Sequence, residues 1–498
     1  MKPDSNAAFD FQQAVFTYAI SSDPIRQYPN HQPISGGCLT VSFTDKTDVY
    51  TYSANGREAA VIGICVDALG ELSPPDVPRY LTALEKADIL SVCQEIRRFA
   101  GRFILYYSNQ SGEYLIPDAY GLLEINYGRM GKDFCAASIA KTVGDYFGLP
   151  ISKVSSAIKE GGDFSQPLPF QTTMYDQVKA LLSNHYLDLK DLKMKRVPIN
   201  VHSVKTAKEL DLCVERTIGL VTNILRAYRE RFAIACPLTA GSDSRVVLSF
   251  LKREDPTLSC YTFYHDGFQD DTPDIAIPRQ ISKDLSLSYE VIRDETPSGD
   301  YFRGAKSCLG DYCSDNTLSL AFTFSSHFPD KILIHSDILD QIGKSSLGKN
   351  IPSFLATPGF FNCKLHNFSR LTKAEMKKMW KDMKQTEAYN DGFDLYCIEE
   401  DGARWVAQGL TAYSVCGVTA LNLFNCGMIL DLWMGVPRKL RMRYAIHKGI
   451  LERLEPRLLQ YPVNPGLKYD SLKKSSFLFW LGSHVQYWLH MIQRGKSR

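Results

Sequence analysis

Two short acidic stretches hold the residues best suited to chemistry. One is Leu238-Thr239-Ala240-Gly241-Ser242-Asp243-Ser244-Arg245, and the other is Ser336-Asp337-Ile338-Leu339-Asp340-Gln341. In the first, the small residues Thr239, Ala240, Gly241, Ser242 and Ser244 let a phosphate approach the backbone of a tight turn. The N–H groups of such a turn, and of a helix that starts there, both favour negative charge. Asp243 is out of place in an anion site unless a divalent cation lies between it and the phosphates. The second stretch repeats the pattern of an apolar run ending in carboxylates.

These residues need elements that hold them at one edge. Residues 232–238 form an apolar run of strand length. From Ser244 onward Val247, Leu248 and Leu251 recur at helical spacing, so the small residues occupy a strand-to-helix turn. A helix over 203–231 precedes this strand, with basic residues at its end. Further strands are expected at 258–264 and 287–292, separated by a polar stretch (265–273) and a helix carrying Asp274, Ala276, Ile277 and Ile281. Residues 331–334 are the strand before the second acidic stretch. Alternating strands and helices predict an open parallel sheet, whose ligands collect at the carboxyl ends of its strands. Asp274 reads equally well as an N-terminal helix cap.

Residues 10–145 read differently. β-Branched and aromatic runs at 15–20, 38–43, 61–66, 101–107, 113–118 and 119–127, and a small-residue segment at 135–139, predict strands. One helical segment is expected at 78–99, and residues 150–230 form a bridge ending in the helix noted above.

The first stretch resembles the pyrophosphate loop of the N-type ATP pyrophosphatases, and its Asp-Ser-Arg ending resembles asparagine-synthetase-like proteins. Matched to those families, Asp337 takes the first acid of the second loop, Asp340 the metal-binding aspartate and Gln341 the following glutamate. Ala240, Ile338 and Leu339 stand where glycines are usual. The series from Phe424-Asn425 through Val436-Pro437 to Pro462-Val463-Asn464 is similar to the C-terminal half of the same family. There Lys448 falls at the lysine that stabilises pyrophosphate, with Lys344 and Lys468 as alternatives. Gly101-Arg102-Phe103, Asp118-Ala119-Tyr120-Gly121 and Ala137-Ser138 resemble, in order, a class II glutamine amidotransferase domain.

The resemblance implies an α+β N-terminal domain (Ntn-hydrolase-like β-sandwich, 1–190). An α/β C-terminal domain follows (parallel sheet, adenine nucleotide α-hydrolase-like, 200–498), with a helical C-terminal part. It implies a ligase that adenylates a small-molecule carboxylate with ATP and Mg²⁺, then joins it to an amine or ammonia. Residues 238–245 with Tyr264 and Asp274 would bind the nucleotide, and Asp243 and Asp340 the metal. Asp337 would take the amine's proton, and Lys448 would stabilise charge. The amidotransferase nucleophile is an N-terminal cysteine, whereas Lys2 stands at the second position and Cys38 well inside. Glutamine hydrolysis is therefore expected to be absent. Two alternatives stay open: a catalytically silent nucleotide- or partner-binding relative, and another pyrophosphatase-loop enzyme such as a tRNA-modifying ligase.

Bulk composition narrows the field. Of 498 residues, 44% are hydrophobic and 22% charged, and the net charge is +2. That is an ordinary globular balance with no broad electrostatic case for nucleic acid. Thirteen cysteines without a CxxC pair, and no targeting segment, predict reduced thiols in the cytoplasm. The apolar stretch 477–492, followed by Arg494, Lys496 and Arg498, is too short and too interrupted to cross a bilayer. It is read as a helix packed on the domain or covering a site, with a membrane-surface helix aided by the basic tail as the alternative. Oligomeric state is not legible.

Overall fold

The computed structural model describes residues 9–160, 167–198, 201–255, 258–265, 267–310, 313–347, 349, 351–365, 370–384 and 391–465. The stretch 477–492, the basic tail and Lys468 lie outside these.

The N-terminal half is built on two six-stranded antiparallel sheets. One runs in the order Lys179–Ala180, Asn126–Met130, Asp133–Ala137, Tyr18–Ser21, Leu39–Phe43, Asn30–Ile34. The other runs Lys193–Arg196, His185–Asp188, Gly112–Pro117, Phe99–Asn109, Arg57–Asp67, Val49–Ala54. Strand periodicity explains the layering, because successive side chains point to opposite faces. Ile20, Val41, Ile62, Ile104 and Tyr106 face inward and share one core. Val61, Cys65, Phe103 and Leu105 face outward, against the helices Asp76–Thr82 and Ile89–Glu95. On the opposite side Ala19, Cys135 and Ala137 pack on the helix Ala140–Tyr146. The result is a helix–sheet–sheet–helix sandwich, the expected α+β domain. It extends past residue 190, because Lys193–Arg196 is its edge strand. The segment expected as one helix at 78–99 is two, the second capped by Asp88, which accepts from Ser91 N–H.

The C-terminal half is α/β. Helix α1 (Ala207–Arg229) opens with a capping box in which Thr206 and Glu209 each satisfy the other's backbone N–H. Five parallel strands follow: β1 (Ala233–Pro237), β2 (Ser259–Phe263), β3 (Ser288–Ile292), β4 (Lys331–His335) and β5 (Ala420–Asn422). Their order is β3-β2-β1-β4-β5. The chain winds outward from β1 and then crosses to β4 on its other side, so β1 and β4 flank the topological switch point. Helix α2 (Ser242–Glu254) follows β1, α3 (Pro273–Asp284) follows β2, and α4 (Ala445–Leu454) packs against α2.

Ahead of the last strand the chain runs as a wide, π-type stretch, Cys397–Val406, into a helix at Ala407–Val415. Residues 420–422 beyond it are the buried strand β5, paired with β4 through Leu333–Ala420 and His335–Asn422. Among the described residues no helix is long and apolar enough to cross a membrane. The twelve cysteines whose side chains are described are free.

Candidate functional site

Strand β1 ends at Pro237 and α2 begins at Ser242, leaving a four-residue turn. Its N–H groups are partly satisfied from within. Thr239 N–H donates to Ser244 Oγ at 3.0 Å, Gly241 N–H to Thr239 Oγ1 at 3.1 Å, and Ala240 N–H to Asp274 Oδ1 at 2.8 Å. Ala240 does not occupy the left-handed region, so the missing glycine costs the turn nothing in backbone strain. Ser242 is buried and its Oγ has no partner among the described residues. It stands at the first turn of a thirteen-residue helix, whose N–H groups have no partners within the helix.

Strand β4 ends at His335. Asp337 follows and lines a cavity of about 290 Å³ together with Thr239, His265, Asp274, His335 and Tyr413. Asp337 Oδ2 is 3.6 Å from His335 Nδ1. The chain then makes a wide turn, Leu339–Gly343, which carries Asp340.

The two loops meet at Lys344. Its Nζ lies 2.6 Å from Asp243 Oδ2 and 2.8 Å from Asp340 Oδ1. The other oxygen of Asp243 takes His447 Nε2 at 2.7 Å, and Asp340 Oδ2 accepts from Ser346 Oγ at 2.7 Å. Burial alone would push the Asp243 carboxyl up, but His447 and Lys344 outweigh it and hold the carboxyl below its usual range. Burial likewise opposes the charge on Lys344, and the two carboxylates more than reverse this, raising its pKa. The structure therefore brings Asp243 and Asp340 to a common point and sets an ammonium there.

Other expected site residues fall elsewhere. Lys448 is exposed on α4, and its neighbour His447, buried, turns inward to Asp243. Arg245 points into the protein. It is 1% exposed and its guanidinium donates to the carbonyls of Ala240 (2.8 Å), Tyr461 (2.8 Å) and Pro462 (2.6 Å). It thus ties the C-terminal segment to the turn. Leu238 is a core residue, its N–H and carbonyl spent on Tyr261 and Thr262. Tyr264 lies under Arg293, 3.9 Å from ring centroid to guanidinium, with its hydroxyl on the Phe268 carbonyl. Asp274 is in the first turn of α3, whose N-cap is Thr272; its carboxylate holds the β1–α2 turn rather than its own helix. Gln341 is buried and accepts from Tyr120 of the N-terminal half. Cys38 is exposed beside the strand Leu39–Phe43.

Sequence reasoning gave no role to His447, His335 or Tyr413, and ranked Lys344 below Lys448. The four-residue spacing of Asp340 and Lys344 was the available signal. Residues 447 and 448 are neighbours in sequence but about 100° apart around a helix, and only the packing of α4 on α2 decides which faces in.

No protein-family model matches the chain, and no curated protein matches it. Among solved structures, one similar chain is glutamine phosphoribosylpyrophosphate amidotransferase from B. subtilis, complexed with ADP and GMP. It is 10% identical, covering 59% of this chain and 65% of that one, with a TM-score of 0.23. A structure described as the allosteric regulatory enzyme of purine biosynthesis is 10% identical, covering 59% and 64%, at 0.24. The U34-tRNA thiolase NcsA from Methanococcus maripaludis, with its 4Fe-4S cluster, is 15% identical, covering 38% and 76%, at 0.19. The chain thus spans a little under two thirds of the first two. Superpositions this poor carry no argument, and the architecture stands on its own strand order.

Proposed function

We propose that the protein is an ATP- and Mg²⁺-dependent ligase that adenylates a small-molecule carboxylate and transfers the acyl group to an amine or ammonia, releasing AMP and pyrophosphate. One observation carries this proposal. At the switch point of a parallel sheet, carboxylates from the β1–α2 turn and the loop after β4 converge on one cationic centre beside a cavity.

The donor set fits a divalent ion. Asp243 and Asp340 offer hard oxygens, the type Mg²⁺ prefers, and the Lys344 ammonium marks where a positive charge is stable between them. Bound there, Mg²⁺ would neutralise charge on the triphosphate. The rest belongs to the chain. The first-turn N–H groups of α2 and the Ser242 Oγ, which has no partner among the described residues, would hold the phosphates. The carboxylate substrate, held in the cavity, attacks the α-phosphorus and pyrophosphate leaves. The amine then attacks the acyl carbon of the adenylate, its proton passing to Asp337 and AMP leaving. Catalysis of this kind is mostly positioning and electrostatic stabilisation.

Calorimetric titration with ATP and Mg²⁺, followed by ATP–pyrophosphate exchange across a panel of carboxylic acids, tests the proposal. Exchange that depends on one acid supports it. If ATP fails to bind, the silent-relative alternative replaces it.

A further inference from the structure

Three groups surround the meeting point of the two loops, and each has a partner that a bound metal would take away. Lys344 Nζ bridges Asp243 and Asp340 at 2.6 and 2.8 Å, its side chain only 13% exposed. Ser346 Oγ occupies the remaining oxygen of Asp340, and His447 that of Asp243. A divalent ion bound by both carboxylates would need the volume that the ammonium fills. Like charges a few ångströms apart in a poorly hydrated site repel strongly, so Lys344 and the ion exclude one another.

The surroundings provide a second place for the ammonium. The ring of Tyr444 lies 5.7 Å from Lys344 Nζ and already receives Lys349 at 5.1 Å. Tyr444 is held in the left-handed region (φ 64°) at the head of α4, immediately before the turn that carries His447. An aromatic face at this distance stabilises a displaced ammonium. Lys344 also sits just beyond the wide turn Leu339–Gly343, whose geometry departs from a regular helix and is frequent at functional sites.

Taking Asp243 and Asp340 as the cation-holding pair, as in the ligase proposal, we propose that Lys344 is a resident countercharge that a divalent cation must displace. Metal entry is thereby coupled to a swing of Lys344 off the two carboxylates and towards Tyr444. Without metal the Lys344 ammonium offsets one of the two carboxylate charges, so the site repels an anion and attracts stray cations less than a bare pair of carboxylates would.

Mn²⁺ is the probe, with binding to the full chain followed by electron paramagnetic resonance in nucleotide-free buffer. Wild type should bind Mn²⁺ weakly and Lys344→Met at least about tenfold more tightly, since the freed carboxylates then favour any cation. Asp243→Asn in the Lys344→Met background should abolish the gain. If Lys344→Met is folded at the assay temperature and binds Mn²⁺ no better, the proposal falls. Should that variant be unfolded there, acylation of Lys344 in wild type decides. A rise in labelling with Mn²⁺ supports displacement, and unchanged labelling overturns it. Because nucleotide is absent throughout, failure of pyrophosphate exchange and failure of metal displacement are separate results.

Discussion

Replacing Asp243 by asparagine keeps the volume of the side chain and removes its charge. On sequence alone such a change in a solvated loop would leave stability nearly untouched, within about 0.5 kcal/mol. The structure argues otherwise, because Asp243 is 16% exposed and bonded on both oxygens, to Lys344 and His447. Breaking a buried ion pair costs about 3–5 kcal/mol when one charge is stranded. Lys344 is not stranded, since Asp340, half exposed, still holds it at 2.8 Å. The expected loss is therefore nearer about 2–3 kcal/mol, close to one hydrogen bond to a charged group. At roughly 2–4 °C per kcal/mol for a domain of this size, melting should fall by about 4–12 °C. Lys344→Met should cost about the same, because Asp243 then keeps only His447. The double variant strands neither group, so its loss should match either single, giving a coupling of about 2–3 kcal/mol. Urea unfolding of the four proteins measures this. If the two losses simply add, to within about 0.5 kcal/mol, the ammonium does not neutralise Asp243 and the account of the site's electrostatics is wrong.

Arg245→Met leaves several carbonyls of the turn and of residues 458–462 without their donor. It should destabilise the protein by at least about 3 kcal/mol and speed amide exchange at 458–464; protection equal to wild type there would count against a tethering role. Asp382 is paired with His185 and Arg196 across the two halves. Burial would raise its pKa, but these partners outweigh burial and pull it from 3.8 down to about 2. Its folded pKa is depressed, so its contribution is complete above about pH 4 and is lost as pH falls towards about 2. Asp382→Asn should flatten the acid limb of the stability curve in that window, and an unchanged limb would contradict the pairing. Finally, Cys38→Ala should leave ligase activity unchanged, and neither protein should release glutamate from glutamine; glutamate release by wild type would mean the N-terminal half had been misjudged.

The strand-to-helix turn at Asp243 was legible because three local signals agree there: an apolar run, a cluster of small residues, then apolar spacing of three and four. The strand before Asp337 was legible for the same reason. Strand β5 was not, because three residues, Ala420–Asn422, carry no period of their own and follow directly on a helical pattern. Only pairing with β4 makes them a strand. Arg245 belonged to a motif that suggested anion contact, yet its direction is set by the carbonyls of a segment more than two hundred residues later. Lys344 was visible as a residue but not as a neighbour of Asp243, since that contact joins two loops a hundred positions apart.

Asn425 lies just past β5, and its amide donates to the Gly101 carbonyl and the Asp118 carboxylate while its oxygen accepts Tyr120 N–H at 2.9 Å. Tyr120 in turn reaches Gln341, one residue from Asp340. The polar wiring of the acidic loop therefore runs through the front half of the chain before returning to the sheet. Halves joined in this way cannot be exchanged like beads on a string. A C-terminal half moved by recombination onto another leader would arrive with Asn425 and Gln341 buried against nothing that answers them. The two halves are expected to be inherited together, the N-terminal half being needed for the contacts it makes with the acidic loop.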